Sequence, residues 1–213
     1  MISISEKEQA EISELIFNAE KKSKSELVPM VVQFSDNYPA AHFRAALIVS
    51  FIFSLILYYS PLSIINPIYF LWIQLPGLVV GYYLGTFPLF KRLLTSKKEH
   101  DSEVAQRAMQ AFYEHGLHMT KNHNGVLIFI SLMERQIQIL TDHGVKSKID
   151  QKIWDEIVSH FGENVKAHNL AFALKETIEA TSHVLENYFP KEENHTHEKI
   201  NDEGELKNQL IIE

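Results

Sequence analysis

The sequence predicts a single α/β domain interrupted by a two-helix transmembrane hairpin, and three observations carry that expectation. All 20 Lys and Arg and all 27 Asp and Glu of the 213 residues lie outside one apolar block, residues 45–90. The segments on either side are charged and alternate helix-like with strand-like patterns. An even number of crossings returns both segments to one side of a bilayer, where they can share a core. The average composition, 46% hydrophobic and 22% charged, conceals this division.

Residues 1–44 form the first part of the divided domain. Ser5 and Glu8 have capping-box spacing, and Ile12, Leu15, Ile16 and Ala19 follow at helical intervals. Lys21, Lys22 and Lys24 suit the negative end of that helix. Residues 27–34 read as a strand, in which Pro29 predicts an edge position or an early bulge. One helix and one strand bury too little surface to stand alone.

Residues 45–90 form the hairpin. A bilayer core of about 30 Å takes roughly 20 apolar helical residues. The block therefore holds two crossings, at about 45–60 and 68–88, with Ser60-Pro61 and Asn66-Pro67 bracketing the turn. Tyr69, Trp72, Tyr82 and Tyr83 are placed like interfacial aromatics, and Pro76-Gly77 predicts a kink. Gly77, Gly81 and Gly85 make a small-residue face, suited to packing the crossings on one another or to a homo-oligomer. A soluble core hairpin would need more surrounding chain than the flanks supply. The polar start and late onset of the block argue against a cleaved signal peptide. Arg44, Lys91, Arg92, Lys97 and Lys98 flank the block, and the turn has no basic residue. The positive-inside rule then predicts a two-pass protein of the cell inner membrane with both termini cytoplasmic.

Residues 91–190 complete the domain. A helix is expected from Asp101 or Ser102, carrying Val104, Ala105, Ala108, Met109 and Phe112 and ended by Gly116. Residues 125–132 read as a central strand buried on both faces. Met133-Glu134-Arg135 turns into a half-exposed strand at 136–140, and Asp142-His143-Gly144 marks a second turn. Ile153, Trp154, Ile157 and Val158 mark one amphipathic helix. Leu170, Leu174, Ile178, Leu185 and Tyr188 mark another, which stops at Pro190. Residues 191–213 are a polar tail from which Leu206, Leu210, Ile211 and Ile212 could dock.

Ser25-Glu26-Leu27-Val28-Pro29-Met30-Val31-Val32, Gly116-Leu117-His118-Met119-Thr120 and Asn124-Gly125-Val126-Leu127-Ile128-Phe129-Ile130-Ser131-Leu132-Met133-Glu134-Arg135 together resemble the TPM-domain family. The likeness is to its membrane-embedded bacterial branch, in which a hairpin interrupts the domain, and it runs from Ile12 to Pro190. Asp202-Glu203-Gly204-Glu205-Leu206 resembles a closing segment of such proteins. The resemblance implies a small mixed sheet between helices. It also implies phosphatase activity, divalent-metal binding, or a part in quality control and assembly of membrane complexes. Acidic pairs are usual at the strand turn of the metal-binding type, whereas this chain has Met133-Glu134 with one carboxylate.

Composition narrows the chemistry. No cysteine means no disulfide, thiolate nucleophile or Cys-ligated metal, and a net charge of −7 argues against nucleic acid. Glu134 and Asp142 stand about 26 Å apart along an extended strand and cannot share an ion. A metal site through Glu134 would therefore draw on Glu26 or Asp36 from the first segment, holding Ca²⁺ or Mg²⁺, which want several oxygens. His115 and His118 are separated by a helix-ending glycine, and His195-Thr196-His197 lies in the tail, so the eleven histidines suggest no zinc site. No phosphate loop, dinucleotide fingerprint, nucleophile elbow or charged crossing is present. The expected function is accordingly a binding, assembly or quality-control module at the membrane without a defined catalytic site. Its partners would be the lipid bilayer and a membrane protein or complex. The alternative is a divalent-metal-dependent phosphatase using Glu134.

Overall fold

Alternation along two buried parallel strands decides how the domain is layered. The computed structural model describes residues 4–61, 66–120, 122–191 and 209–213. β1 (Glu26–Val32) and β2 (Gly125–Ser131) pair in parallel, from Glu26 opposite Gly125 to Val32 opposite Ser131. β3 (Gln136–Thr141) runs antiparallel to β2, and β4 (Ile211–Ile212) parallel to β1 beside Met30 and Val31. The order β3-β2-β1-β4 is a four-stranded mixed sheet. Leu27, Val31, Val126, Ile128 and Ile130 enter one core with α1 (Glu6–Lys22), α8 (Gln151–Ala167) and α9 (Leu170–Tyr188). Val28, Met30, Val32, Leu127 and Phe129 enter a second with Val104, Ala108, Ala111 and Phe112 of α6 (Lys97–Glu114). Helices on both faces explain why β1 and β2 read as unbroken apolar runs.

Several expectations meet their physical reasons here. Ser5 and Glu8 form the capping box, with the Ser5 N–H donating to the Glu8 carboxylate at 2.8 Å. β2 is buried throughout and β3 is half-buried throughout. Gly116, at φ 70°, leaves α6 in the left-handed conformation open to glycine. α6 begins at Lys97, earlier than expected. Ser96 and Glu99 supply a reciprocal cap there: the Ser96 N–H donates to Glu99 Oε2 at 2.6 Å, and the Glu99 N–H to Ser96 Oγ at 3.2 Å.

β1 is an inner strand in the sheet order, yet at Pro29 its outer side is an open edge among the described residues, as the proline predicts. Gln33 N–H donates to the Glu213 carbonyl, and Glu213 N–H to the Val31 carbonyl. Odd-numbered β1 residues therefore face β4, whose pairing begins only at Met30. The N–H that Pro29 lacks falls on a stretch where no described strand runs alongside. Asp142 does more than turn the chain: it caps α7 (His143–Lys146), accepting the His143 N–H at 2.7 Å. Ile211 and Ile212 dock as β4. Leu206, the Asp202–Leu206 motif and His195-Thr196-His197 lie outside the described residues.

Two compact units are distinguished: Met1–Gln33 with Val104–Glu213, and Phe34–Glu103. The second contains α2 (Pro39–Tyr58), α3 (Tyr69–Trp72), α4 (Gln74–Leu84) and α5 (Pro88–Leu94). α2 starts ahead of the charge-free block because Pro39 occupies its first turn and Asp36 Oδ2 accepts the Tyr38 N–H at 2.7 Å. Among the described residues α2 is the one helix long and apolar enough to cross a membrane unaided. The expected second crossing, 68–88, is not one straight helix. Pro76 falls in the first turn of α4, just past the interruption at Ile73 that separates α4 from α3. The break comes at Pro88: Phe87 before it is extended (ψ 137°), and α5 departs at 103° from the Tyr69–Leu84 helix.

The glycine face is filled within the chain. A Cβ on Gly77 would lie 2.7 Å from Ser50 Cα, on Gly81 2.5 Å from the Ala45 carbonyl oxygen, and on Gly85 2.6 Å from His42 Cα. These approaches let the α2 and α4 backbones touch, as small-residue steps allow. Phe43, Leu47, Phe51 and Ile56 of α2 and Leu75, Val79 and Tyr83 of α4 remain exposed.

Candidate functional site

Two acidic centres lie at opposite ends of the β1–β2 pair. At the carboxyl end, Leu132 N–H donates to the Val32 carbonyl and Met133 N–H to that of Gln33, both at 3.0 Å. These bonds tie the β2–β3 turn to the end of β1. The turn closes at Arg135, a non-glycine residue at φ 56°. It folds Glu134 back to accept a hydrogen bond from the Ser131 hydroxyl, and both residues are buried. Clefts beyond the carboxyl ends of parallel strands are the usual ligand sites of open α/β sheets.

At the amino end, the last turn of α1 brings Glu20 beside the first residues of β1. Glu20 is 8% exposed. Its Oε1 accepts the Leu27 N–H at 3.1 Å, and its Oε2 has no hydrogen-bond partner among the described residues. Burial pushes its carboxyl up to about 8, against the Leu27 hydrogen bond; the Glu26 charge raises it further and Lys191 lowers it. Glu20 therefore holds a proton at neutral pH. At the same end of the strand pair, Asn124 donates from Nδ2 to the Lys24 carbonyl and from its N–H to Thr120 Oγ1 at 3.1 Å. Glu20 was not among the residues singled out from sequence. Its signal was there: with Ile12, Ile16 and Ala19 it continues the apolar stripe of α1, a position at which a carboxylate is out of place.

Two of the three expected metal ligands, Glu26 and Glu134, do not converge. Glu26 opens β1 and Glu134 follows the far end of β2, about 20 Å away along the strands. Asp36 starts α2 through its bond to Tyr38 and belongs to the other unit. Asp142 and Glu134 stand at opposite ends of β3, as the strand length requires. Among the described residues no three of His, Asp and Glu gather as a metal site. His118 packs its ring on Tyr113 at 4.7 Å, and His123 Nδ1 lies 3.2 Å from Asp142 Oδ2.

Residues 92–184 match the family profile of the TPM domain. That stretch takes in β2, β3, the Glu134 turn and α8, and leaves β1 outside. The NMR structure of the BA42 protein from the psychrophilic bacterium Bizionia argentinensis is similar to this chain, with a TM-score of 0.60 and 18% identity over 99% of this chain and 95% of that one. At such identity the likeness shows the fold alone. No curated protein matches.

Proposed function

We propose that the chain is an integral membrane TPM-domain protein of the cell inner membrane. In this reading it crosses the bilayer twice, keeps both termini in the cytoplasm, and acts as a binding, assembly or quality-control module for a membrane protein or complex. The observation that carries the reading is the uncharged block of residues 45–90. It folds as a backbone-to-backbone helix pair whose outward side chains, among them Leu47 at 67% and Phe51 at 70% exposure, are apolar. Bare apolar surface of that extent needs lipid or a partner to cover it. Since the glycine face is occupied by α2, a homo-oligomer would have to use another surface.

Membranes washed with alkaline carbonate should retain the protein, and reporters fused to either end should read cytoplasmic. Release into the wash, or an external reporter at either end, overturns the reading. Crosslinking in native membranes should capture a partner or a second copy; capture of neither removes the module role.

A second reading, a divalent-metal-dependent phosphatase, is favoured by one observation: the buried Glu134 beyond the carboxyl ends of β1 and β2. Ca²⁺ or Mg²⁺ asks for several oxygen ligands, and the donor set here, one carboxylate already engaged by Ser131, does not fit that demand. Hydrolysis of a generic phosphate ester, dependent on Mg²⁺ or Ca²⁺ and lost in Glu134→Ala, would establish this reading in place of the first.

A further inference from the structure

We infer that α5 is an interfacial helix that lies along an anionic phospholipid surface, with its leucines among the upper acyl chains and its neighbouring cations among the headgroups. The inference rests on the membrane reading above and adds a surface and its partner. Three observations carry it.

The first is direction. α5 leaves the Tyr69–Leu84 helix at 103°. If that helix runs near the bilayer normal, α5 runs near the bilayer plane. The angle is held as well as started. The Arg44 guanidinium donates to the Leu94 carbonyl at 2.7 Å and grips the Glu99 carboxylate with both nitrogens, at 2.6 and 3.1 Å. Arg44 and the Ser96 cap together hold Glu99 down to about 2. Arg44 of α2 thus ties the C-terminal end of α5 through the Leu94 carbonyl and, by the bidentate contact, the start of α6 through Glu99.

The second is the apolar face. Leu89 and Leu93, one helical turn apart, are 74% and 75% exposed. Phe87, just ahead of α5, is 56% exposed. A short helix that offers leucine at i and i+4 to the outside has the face that an interfacial helix sinks into the acyl boundary.

The third is charge. Arg92, Lys97 and Lys98 are exposed, whereas Lys91 is folded inward over the Phe34 ring at 5.1 Å. Glu99, the next acid along the chain, is committed to Arg44, and Asp101 and Glu103 come later along α6. The stretch beside α5 therefore presents cations, and each Lys or Arg near an anionic leaflet adds roughly fivefold to lipid association.

The chain has no cysteine, so single cysteines report depth cleanly. The full chain would be reconstituted in phosphatidylcholine vesicles with or without phosphatidylglycerol. An environment-sensitive fluorophore would be attached in Leu93→Cys, Leu89→Cys or Val79→Cys, and quenched by lipids carrying a nitroxide high or low on the acyl chain. The expected result is quenching of 89 and 93 by the high nitroxide and of 79 by the low one. Phosphatidylglycerol-borne quencher should outcompete phosphatidylcholine-borne quencher several-fold at 93, and this preference should fall to unity in Arg92→Gln/Lys97→Gln/Lys98→Gln. Quenching of 79 with none at 89 and 93 overturns the interfacial helix and leaves the membrane reading standing. No quenching at 79 overturns the membrane reading and the inference with it. Equal quenching by the two lipids at 93 overturns the anionic surface.

Discussion

Two glycine-to-alanine substitutions should change stability in opposite directions, and the structure sets both signs. At Gly81 in α4 the added Cβ would stand 2.5 Å from the Ala45 carbonyl oxygen, 2.6 Å from Ala46 Cα and 2.9 Å from Ala45 C. All three atoms are backbone, so no rotamer change relieves them. Ordinary contact begins near 3.4 Å, and α4 must retreat from α2 by about 0.9 Å, loosening the neighbouring contacts. Overpacking of this kind costs ~1–3 kcal/mol, and better helix propensity returns ~0.5–1 kcal/mol. The net loss is about 0.5–2 kcal/mol. At Gly162 in α8 an added Cβ meets nothing within 4 Å. Only the propensity term remains there, a gain of ~0.5–1 kcal/mol.

The chain carries one tryptophan in each unit, which makes the comparison measurable. Trp72 lies with α4, and Trp154 is buried in the helix that holds Gly162. Trp154→Phe isolates the first reporter and Trp72→Phe the second. Denaturant midpoints in detergent micelles should fall for Gly81→Ala at Trp72 and rise for Gly162→Ala at Trp154. Two shifts of the same sign, or a neutral Gly81→Ala, would refute the backbone-contact argument.

Other expectations follow from single residues. Glu20 binds its proton more tightly in the fold than its ordinary value of 4.5, so between about 4.5 and about 8 the unfolded chain carries fewer protons. Stability contributed by this group is full below 4.5 and declines as pH rises toward 8, by at most ~1.4 kcal/mol per pH unit. Glu20→Gln keeps an acceptor for the Leu27 N–H and should flatten that decline, leaving stability near pH 4.5 unchanged and raising it at pH 8. Arg135→Gly should raise the unfolding free energy by ~0.5–1 kcal/mol, read as a higher denaturant midpoint, since φ 56° costs a non-glycine residue about 1–2 kcal/mol and glycine gives part of that back in chain entropy. Phe129→Ala, at a fully buried β2 position, should cost ~3–5 kcal/mol in the Trp154 unfolding curve.

Pattern was legible in the sequence wherever a local rule had no rival. The Ser5–Glu8 cap, the buried run of β2, the half-exposed β3 and the Gly116 stop depend on neighbours along the chain, and each stands where the residues put it. Position within the sheet was only partly legible. Pro29 advertised an edge and β1 is open on that side at Pro29, but the pairing of β1 with β4 from the far end of the chain was not readable. The acidic candidates show the same limit. The turn position of Glu134 was readable. Its separation from Glu26 depended on β1 and β2 running parallel, which places strand starts together and keeps starts away from ends.

By itself the sequence determined that 20 basic and 27 acidic residues avoid residues 45–90, that each charged flank carries a strand, and that the strand of the second flank can be buried on both faces. These are properties of residue type and spacing, and folding cannot alter them. Tertiary structure decided which groups meet: that Gly81 touches Ala45, that Arg44 grips Glu99, and that Glu20 loses its water beside Leu27. The reason is physical. Backbone approach, bidentate pairing and desolvation arise between elements distant in sequence, and only the folded chain brings those elements within a few ångströms.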